Sequence, residues 1–281
     1  MKTNPLVSVC IPIFNGELYI RETMDCILNQ TYKNIEIIIS DNCSTDMGIE
    51  IIKSYNDPRI KIYRNENNMG IKYNFQKVFT YATGKYLTFM GADDGMTLNA
   101  IDTLVNILEK KENKDVSVAN GFISIINNES KHIYLKKFLF GSGKFSSYWA
   151  IRANFLYGSN IIGEPNGTLF RRDQYDNIPE PKFNNGNNWT FDLDMLLELL
   201  LQGKLYVVPE IIGKFRISPI STSNKELRFD HAKMFRQYAM TIYRDKRYNI
   251  GFHWVIAASI NSWILMIARN FFYILFIKKK K

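Results

Sequence analysis

Between Leu6 and Ala119 short apolar runs alternate with stretches of helical periodicity, and this rhythm constrains the fold more than any other feature of the chain. Strands separated by helices form βαβ units and so a mostly parallel sheet. The predicted strands are Val7 to Ile13, Ile35 to Ser40, Ile60 to Arg64, Tyr86 to Met90 and Val116 to Ala119. Helical spacing fills the gaps at Leu18 to Asn29, Met47 to Tyr55, Tyr73 to Ala82 and Leu98 to Lys111. Four strand exits are then expected near one edge, where open parallel sheets bind ligands.

From Gly121 to Pro209 the rhythm loosens, and GSGKFSS (Gly141 to Ser147) and FNNGNNW (Phe183 to Trp189) read as mobile loops. A helix over Phe191 to Gln202 carries Leu193, Leu196, Leu197 and Leu200 at core spacing; short strands follow at Leu205 to Val208 and Ile211 to Ile217. After Asn224 the chain is helical and basic. Of 36 Lys and Arg and 27 Asp and Glu, residues 225–281 hold 12 and 3, so the body is neutral and the tail carries the net charge of +9. The expected division is a catalytic domain over 1–224, with a nucleotide-binding half 1–119 and an acceptor half 120–224, followed by basic amphipathic helices over 225–281.

Several chemistries lose their signatures. Three cysteines without CxxC spacing make neither a disulfide framework nor a zinc cluster and fit a reducing cytosol. The histidines, His132, His231 and His253, have no HExxH spacing, and no GxSxG surrounds a serine. Phe14, Asn15 and Gly16 follow the first strand in place of GxGxxG, and GSGKFSS has Phe145 where a phosphate loop needs Ser or Thr. The start shows no secretory pattern, so a cytoplasmic protein is expected.

Carboxylates remain. Asp93 and Asp94 follow the strand ending at Met90; side by side they repel, and a divalent cation bridging to a diphosphate relieves that, although a solvated turn with a helix N-cap is the plainer reading. Asp41 ends the second strand, where a carboxylate accepts hydrogen bonds from a base or ribose or simply shapes a turn. Asp192 and Asp194 open a helix; capping accounts for one, and a general base that deprotonates an acceptor hydroxyl accounts for the other, with Asp192 the first choice.

Taken together these sites carry a resemblance. PLVSVCIPIFNGELYIRETMDCILNQTYKNIEIIISDNCSTD, NNMGIKYNF and GKYLTFMGADDG resemble the family 2 glycosyltransferases over roughly the first 115 residues. The resemblance implies a GT-A, Rossmann-like α/β fold with a mostly parallel sheet flanked by helices. It also implies inverting transfer from a nucleotide-diphosphate sugar, first of all a UDP-sugar, with Mg or Mn. By it Pro12, Phe14 and Asn15 line the nucleotide pocket, Asp41 reads the base, and Asp93 and Asp94 match the DxD region that contacts ribose and metal. More loosely, GEPNGTLFRR looks like the acceptor-side segment and FDLD like the ED motif of the catalytic base. GKFRISPISTS resembles the last loop over the donor and would bring Arg216 to the diphosphate. Asn42, Gly91 and Phe191 stand where the family has acids.

The acceptor expected is a growing cell-surface glycan or a polyprenyl-linked oligosaccharide, at the cytoplasmic face. Within Trp254 to Ile277 the polar Ser259, Ser262, Arg269 and Asn270 form a narrow stripe, and four lysines end the chain. Such a segment suits an anionic membrane surface. Alternatives are a spanning helix, disfavoured by Asn249, His253, Asn261 and Ser262, and a helix pair packed on the catalytic domain or a dimer interface. No nucleic-acid-binding motif accompanies the basic tail. The competing functions are a non-catalytic, membrane-bound sugar-nucleotide-binding subunit and a sugar-nucleotide pyrophosphorylase, whose GxGTRL-type loop is missing.

Overall fold

A computed structural model describes residues 4–138, 140–180, 182, 190–217 and 222–272. Strands β1 (Val7–Ile13), β2 (Ile35–Asp41), β3 (Ile60–Arg64) and β4 (Tyr86–Phe89) run parallel in the order β3-β2-β1-β4. They are joined through α1 (Ile20–Leu28), α2 (Gly48–Lys53) and α3 (Ile71–Phe79). Then come β5 (Gly95–Met96), α4 (Ala100–Glu109), β6 (Val116–Ile126), β7 (His132–Lys136), β8 (Gly143–Phe145), α5 (Ser147–Tyr157), β9 (Thr168–Arg171) and α6 (Arg172–Asp176). The last elements are α7 (Phe191–Gln202), β10 (Lys204–Arg216), α8 (Thr222–Arg244) and α9 (Phe252–Phe272). One mixed, mostly parallel sheet runs β3-β2-β1-β4-β9-β6-β10-β5, with β9 and β5 antiparallel to their neighbours.

Strand alternation distributes side chains to two cores. Val7, Val9, Ile11 and Ile13 pack with Ile35, Ile37 and Ile39 against residues of α1 and α4, such as Met24 and Leu104. Cys10 and Ile38 point to the opposite face, toward residues of α3, α5, α7, α8 and α9. All three cysteines are free.

The early elements lie where their periodicity puts them, but the second half is more regular than expected. β6 continues through Asn120 and Gly121 to Ile126, and the two short strands expected after Gly203 are one strand, β10, with register shifts between Val207 and Gly213. Pro209, which has no N–H to give, sits in that irregular stretch. GSGKFSS is not a loose loop throughout: Gly143–Phe145 pairs with β10, and the Ser146 hydroxyl accepts from Trp149 N to cap α5. The Asn-rich stretch at 183–189 lies outside the described residues.

The tail is not set apart from the body. Phe235, Tyr238, Ala239 and Ile242 of α8 and Val255 and Ala258 of α9 belong to the same core as Phe155 and Leu196. Closest approach is at Gly158, which ends α5 at φ +74°; a Cβ there would lie 2.4 Å from Ser262 N in α9. Both the left-handed backbone and the contact demand glycine. Gly158→Ala is expected to destabilise the protein by about 2–4 kcal/mol in chemical denaturation, and an unchanged midpoint would show that α9 does not seat there.

Candidate active site

The carboxyl ends of β1 and β2 are laced together. Ile13 stands beside Asp41 in register, and Ile13 O accepts from Asn42 N at 2.9 Å. Asn15, at φ +51°, receives Thr45 N on its side-chain oxygen at 2.9 Å, while its own N–H donates to Ser44 Oγ at 3.0 Å. Pro12 is half-buried and Phe14 is 48% exposed at the same edge, which leaves an aromatic face open beside this loop. Asp41 is fully buried; its Oδ1 accepts from Ser44 N at 2.9 Å. Arg64 lies 3.0 Å from Oδ2 as an ion pair but without hydrogen-bond alignment, so Oδ2 has no hydrogen-bond donor among the described residues. A buried carboxylate oxygen that has an ion-pair partner but no aligned donor is the chemistry a base N–H needs once the Arg64 guanidinium gives way.

The acid pair sits between β4 and β5. Thr23 of α1 donates to Ala92 O at 3.1 Å and Asp94 O at 2.7 Å, fixing the turn, and Asp94 Oδ1 accepts from Arg216 N at 3.0 Å. A Cβ at Gly91 would lie 2.7 Å from Asp94 Oδ2 and 3.2 Å from Asp93 Oδ1, so one oxygen from each carboxylate borders the space that this glycine leaves free. Burial pushes both carboxyls above the usual carboxylate range, Asp94 the further because Asp93 is beside it. Two hard oxygens in a place that penalises their charge fit a hard divalent cation. Among the described residues no third His, Cys, Asp or Glu joins them as a ready-made metal cluster.

Arg216 departs from its expected role. The residue is 3% exposed, and each of its side-chain nitrogens already has a protein acceptor. Nε donates to Asp93 O at 2.8 Å, Nη1 to Asn127 O and Ser130 Oγ at 3.0 Å, and Nη2 to Glu22 Oε2 at 2.7 Å, with Tyr19 stacked at 4.1 Å. The fork expected to meet the diphosphate is thus spent on clamping the acid-pair turn to α1 and to the β6–β7 turn.

Apart from the acid pair, Asp192 stands in the first turn of α7. Burial, then the charge of Glu164, push its carboxyl up to about 7. Glu164, held by Lys136 at 2.6 Å, also raises Asp94, so its charge bears on both acidic sites. Its neighbour Asn166 is buried and donates to Lys214 O at 2.7 Å and Gly95 O at 3.4 Å, which ties this segment to the acid-pair turn. Asp194 differs: it is fully buried, and its Oδ1 accepts from the Tyr238 hydroxyl at 3.3 Å, joining α7 to α8.

Sequence reasoning missed Glu22, Arg64, Lys136 and Glu164, whose partners are distant in the chain. It also missed the role of Asn42, which occupies the second-acid position. Asn42 accepts from Asn65 at 3.1 Å and Met69 N at 3.0 Å and donates to Asn68 at 2.7 Å, organising the loop before α3. The signal was present in the asparagines of NENNMG, which favour such side-chain-to-backbone turns.

Comparison with known proteins bears on the fold and the family. The sequence model of glycosyl transferase family 2 matches residues 8–178. A Rickettsia typhi protein described as an uncharacterized glycosyltransferase is 30% identical over 233 residues, 81% of this chain and 70% of the relative. Among solved structures, S. aureus TarS 1–349 in complex with UDP-GlcNAc superposes with a TM-score of 0.68 at 17% identity, covering 96% of this chain and 76% of TarS. Mannosyltransferase PcManGT from Pyrobaculum calidifontis, in complex with GDP-Man and Mn2+, gives 0.58 at 14% identity, covering 95% and 76%.

Proposed function

The chain belongs to glycosyl transferase family 2, and from that premise we propose that it is an inverting glycosyltransferase of a UDP-sugar. Its acceptor is a hydroxyl of a cell-surface glycan or a lipid-linked oligosaccharide at the inner face of the plasma membrane. The observation that carries this reading is the converging acid pair at Asp93 and Asp94 beyond the end of β4; a buried acceptor oxygen at Asp41 and an acid of raised pKa at Asp192 support it.

In this reading Phe14 and Asn15 flank the nucleotide and Asp41 Oδ2 accepts from the base. Asp93 and Asp94 would hold a divalent cation, which when bound supplies positive charge to the leaving diphosphate. Asp192 takes the proton from the acceptor hydroxyl as that oxygen bonds to the anomeric carbon. The bond from this carbon to the terminal phosphate oxygen breaks, and the nucleoside diphosphate leaves from the opposite face. Arg216 keeps the acid-pair turn in place, and Asp194 keeps α7 against α8.

Calorimetric titration with UDP, GDP and dTDP, each with and without Mn2+, tests the donor half directly. UDP is expected to bind, and to do so only with the metal. If no nucleotide binds, the donor reading falls; if UDP binds and no acceptor is ever glycosylated, the non-catalytic subunit replaces the enzyme.

The pH profile tests the base. Asp192 must be ionised to accept a proton, and its carboxyl is raised to about 7. The transfer rate is therefore expected to climb with pH through about 7 and level off above it, in initial rates from about pH 5 to about pH 9. A profile flat down to about pH 5 would remove Asp192 from that role.

A further inference from the structure

The surface of α9 is unlike that of the other helices. Phe252, Ile256, Ile260, Ile264, Ile267 and Phe271, with Trp263 beside them, recur every three or four residues and are 49–64% exposed. The opposite side of the same helix is buried through Val255, Ala258, Ser262 and Met266, so the stripe is what remains after the helix has seated on the protein. Its apolar width is far more than the single exposed hydrophobics that any surface carries. Among the described residues no helix is long and apolar enough to cross a membrane.

A cationic hollow lies beside the stripe. A hollow of about 540 Å³ on α8 is lined by Lys233, Arg236, Gln237, Met240, Thr241 and Arg244, three cations and no acid. Tyr243, on the flank of α8 that Arg236 and Met240 share, packs edge-on against Phe252 at 5.5 Å, which brings the cationic face to the border of the stripe. Beyond α9 the sequence adds YILFI and four lysines. A second copy docked through this face would bring the α8 cations of both copies to one contact, whereas a layer of anionic headgroups over an apolar interior complements both the stripe and its border.

We infer that the Phe252–Phe271 stripe of α9, bordered by the cations of α8, is an interfacial face that lies in the headgroup region of an anionic lipid bilayer. The inference gives residues to the membrane part of the proposed function and is independent of the chemistry at the acids.

Flotation of the full chain with vesicles tests it. Binding is expected to phosphatidylcholine vesicles containing about one-third phosphatidylglycerol, with at least about tenfold weaker binding to phosphatidylcholine alone. Trp263 fluorescence should shift to the blue on binding. The double variant Ile260→Glu, Ile264→Glu should lose binding by about tenfold or more while calorimetric UDP affinity is unchanged. Equal binding to both vesicles, binding to neither, or an unaffected variant overturns the inference. So does light scattering that finds a wild-type dimer and a monomeric variant, since the stripe would then be a contact between copies. Vesicle binding without UDP binding would leave this inference standing and remove the donor reading instead.

Discussion

Asp192→Asn is expected to cut sugar transfer by about 10²–10⁴-fold and leave UDP binding within about twofold of wild type. Asparagine keeps the size and the hydrogen-bond acceptor of the side chain but cannot take a proton. The residue sits in the first turn of α7, where the helix is anchored by Phe191, Leu193 and Leu196 in the core, so the substitution should not disturb folding. Binding and turnover therefore separate: calorimetry reports the donor edge, and a radiolabelled transfer assay reports the base. Rescue of the rate by Asp192→Glu, even partial, would distinguish a missing proton acceptor from a damaged helix end. A near-normal rate in Asp192→Asn would sink the assignment.

Asp94→Asn is expected to have an effect of similar size by a different route. Its Oδ1 accepts from Arg216 N at 3.0 Å, which an asparagine oxygen can also do, so the clamp on the acid-pair turn survives. What disappears is one of two adjacent buried charges. A carboxyl whose pKa is raised on folding contributes stability that is complete below the ordinary carboxylate value and is lost as pH rises through the raised one. At neutral pH without metal the variant should therefore melt higher than wild type, while Mn2+-dependent UDP binding falls by about 10²-fold or more. Metal dependence that persists unchanged would transfer the ligand role away from Asp94.

How much of this was legible in the sequence differs sharply along the chain. The strands Val7–Ile13 and Ile35–Asp41 were plain because all their residues are buried or nearly so and each is flanked by a regular helix. The predicted strand stops at Ala119, yet β6 runs on through Asn120 and Gly121 to Ile126. A Cβ at Gly121 would come within 2.3 Å of the Ile212 side chain, so the glycine is there for close strand packing rather than for a turn. Strands β7, β8 and β9 are short and are defined by their partners in β6, β4 and β10, which no local pattern announces. The acids at 41, 93, 94 and 192 were visible because strand ends and a helix start mark them. The company they keep was not: Arg216 meets groups from residues 22, 93, 127 and 130, and Glu164 finds Lys136 across 28 residues.

The close passage of Ser262 over Gly158 has a mechanical consequence. Because α9 is wedged against α5, and α5 shares its core with the helix that carries Asp192, the C-terminal helix is a bracket and not a leash. Whatever surface grips its outer face also sets the tilt and standoff of the catalytic edge. On the proposed function, reach would then be a fixed property of the fold, and an acceptor would have to present its hydroxyl at that height to be glycosylated.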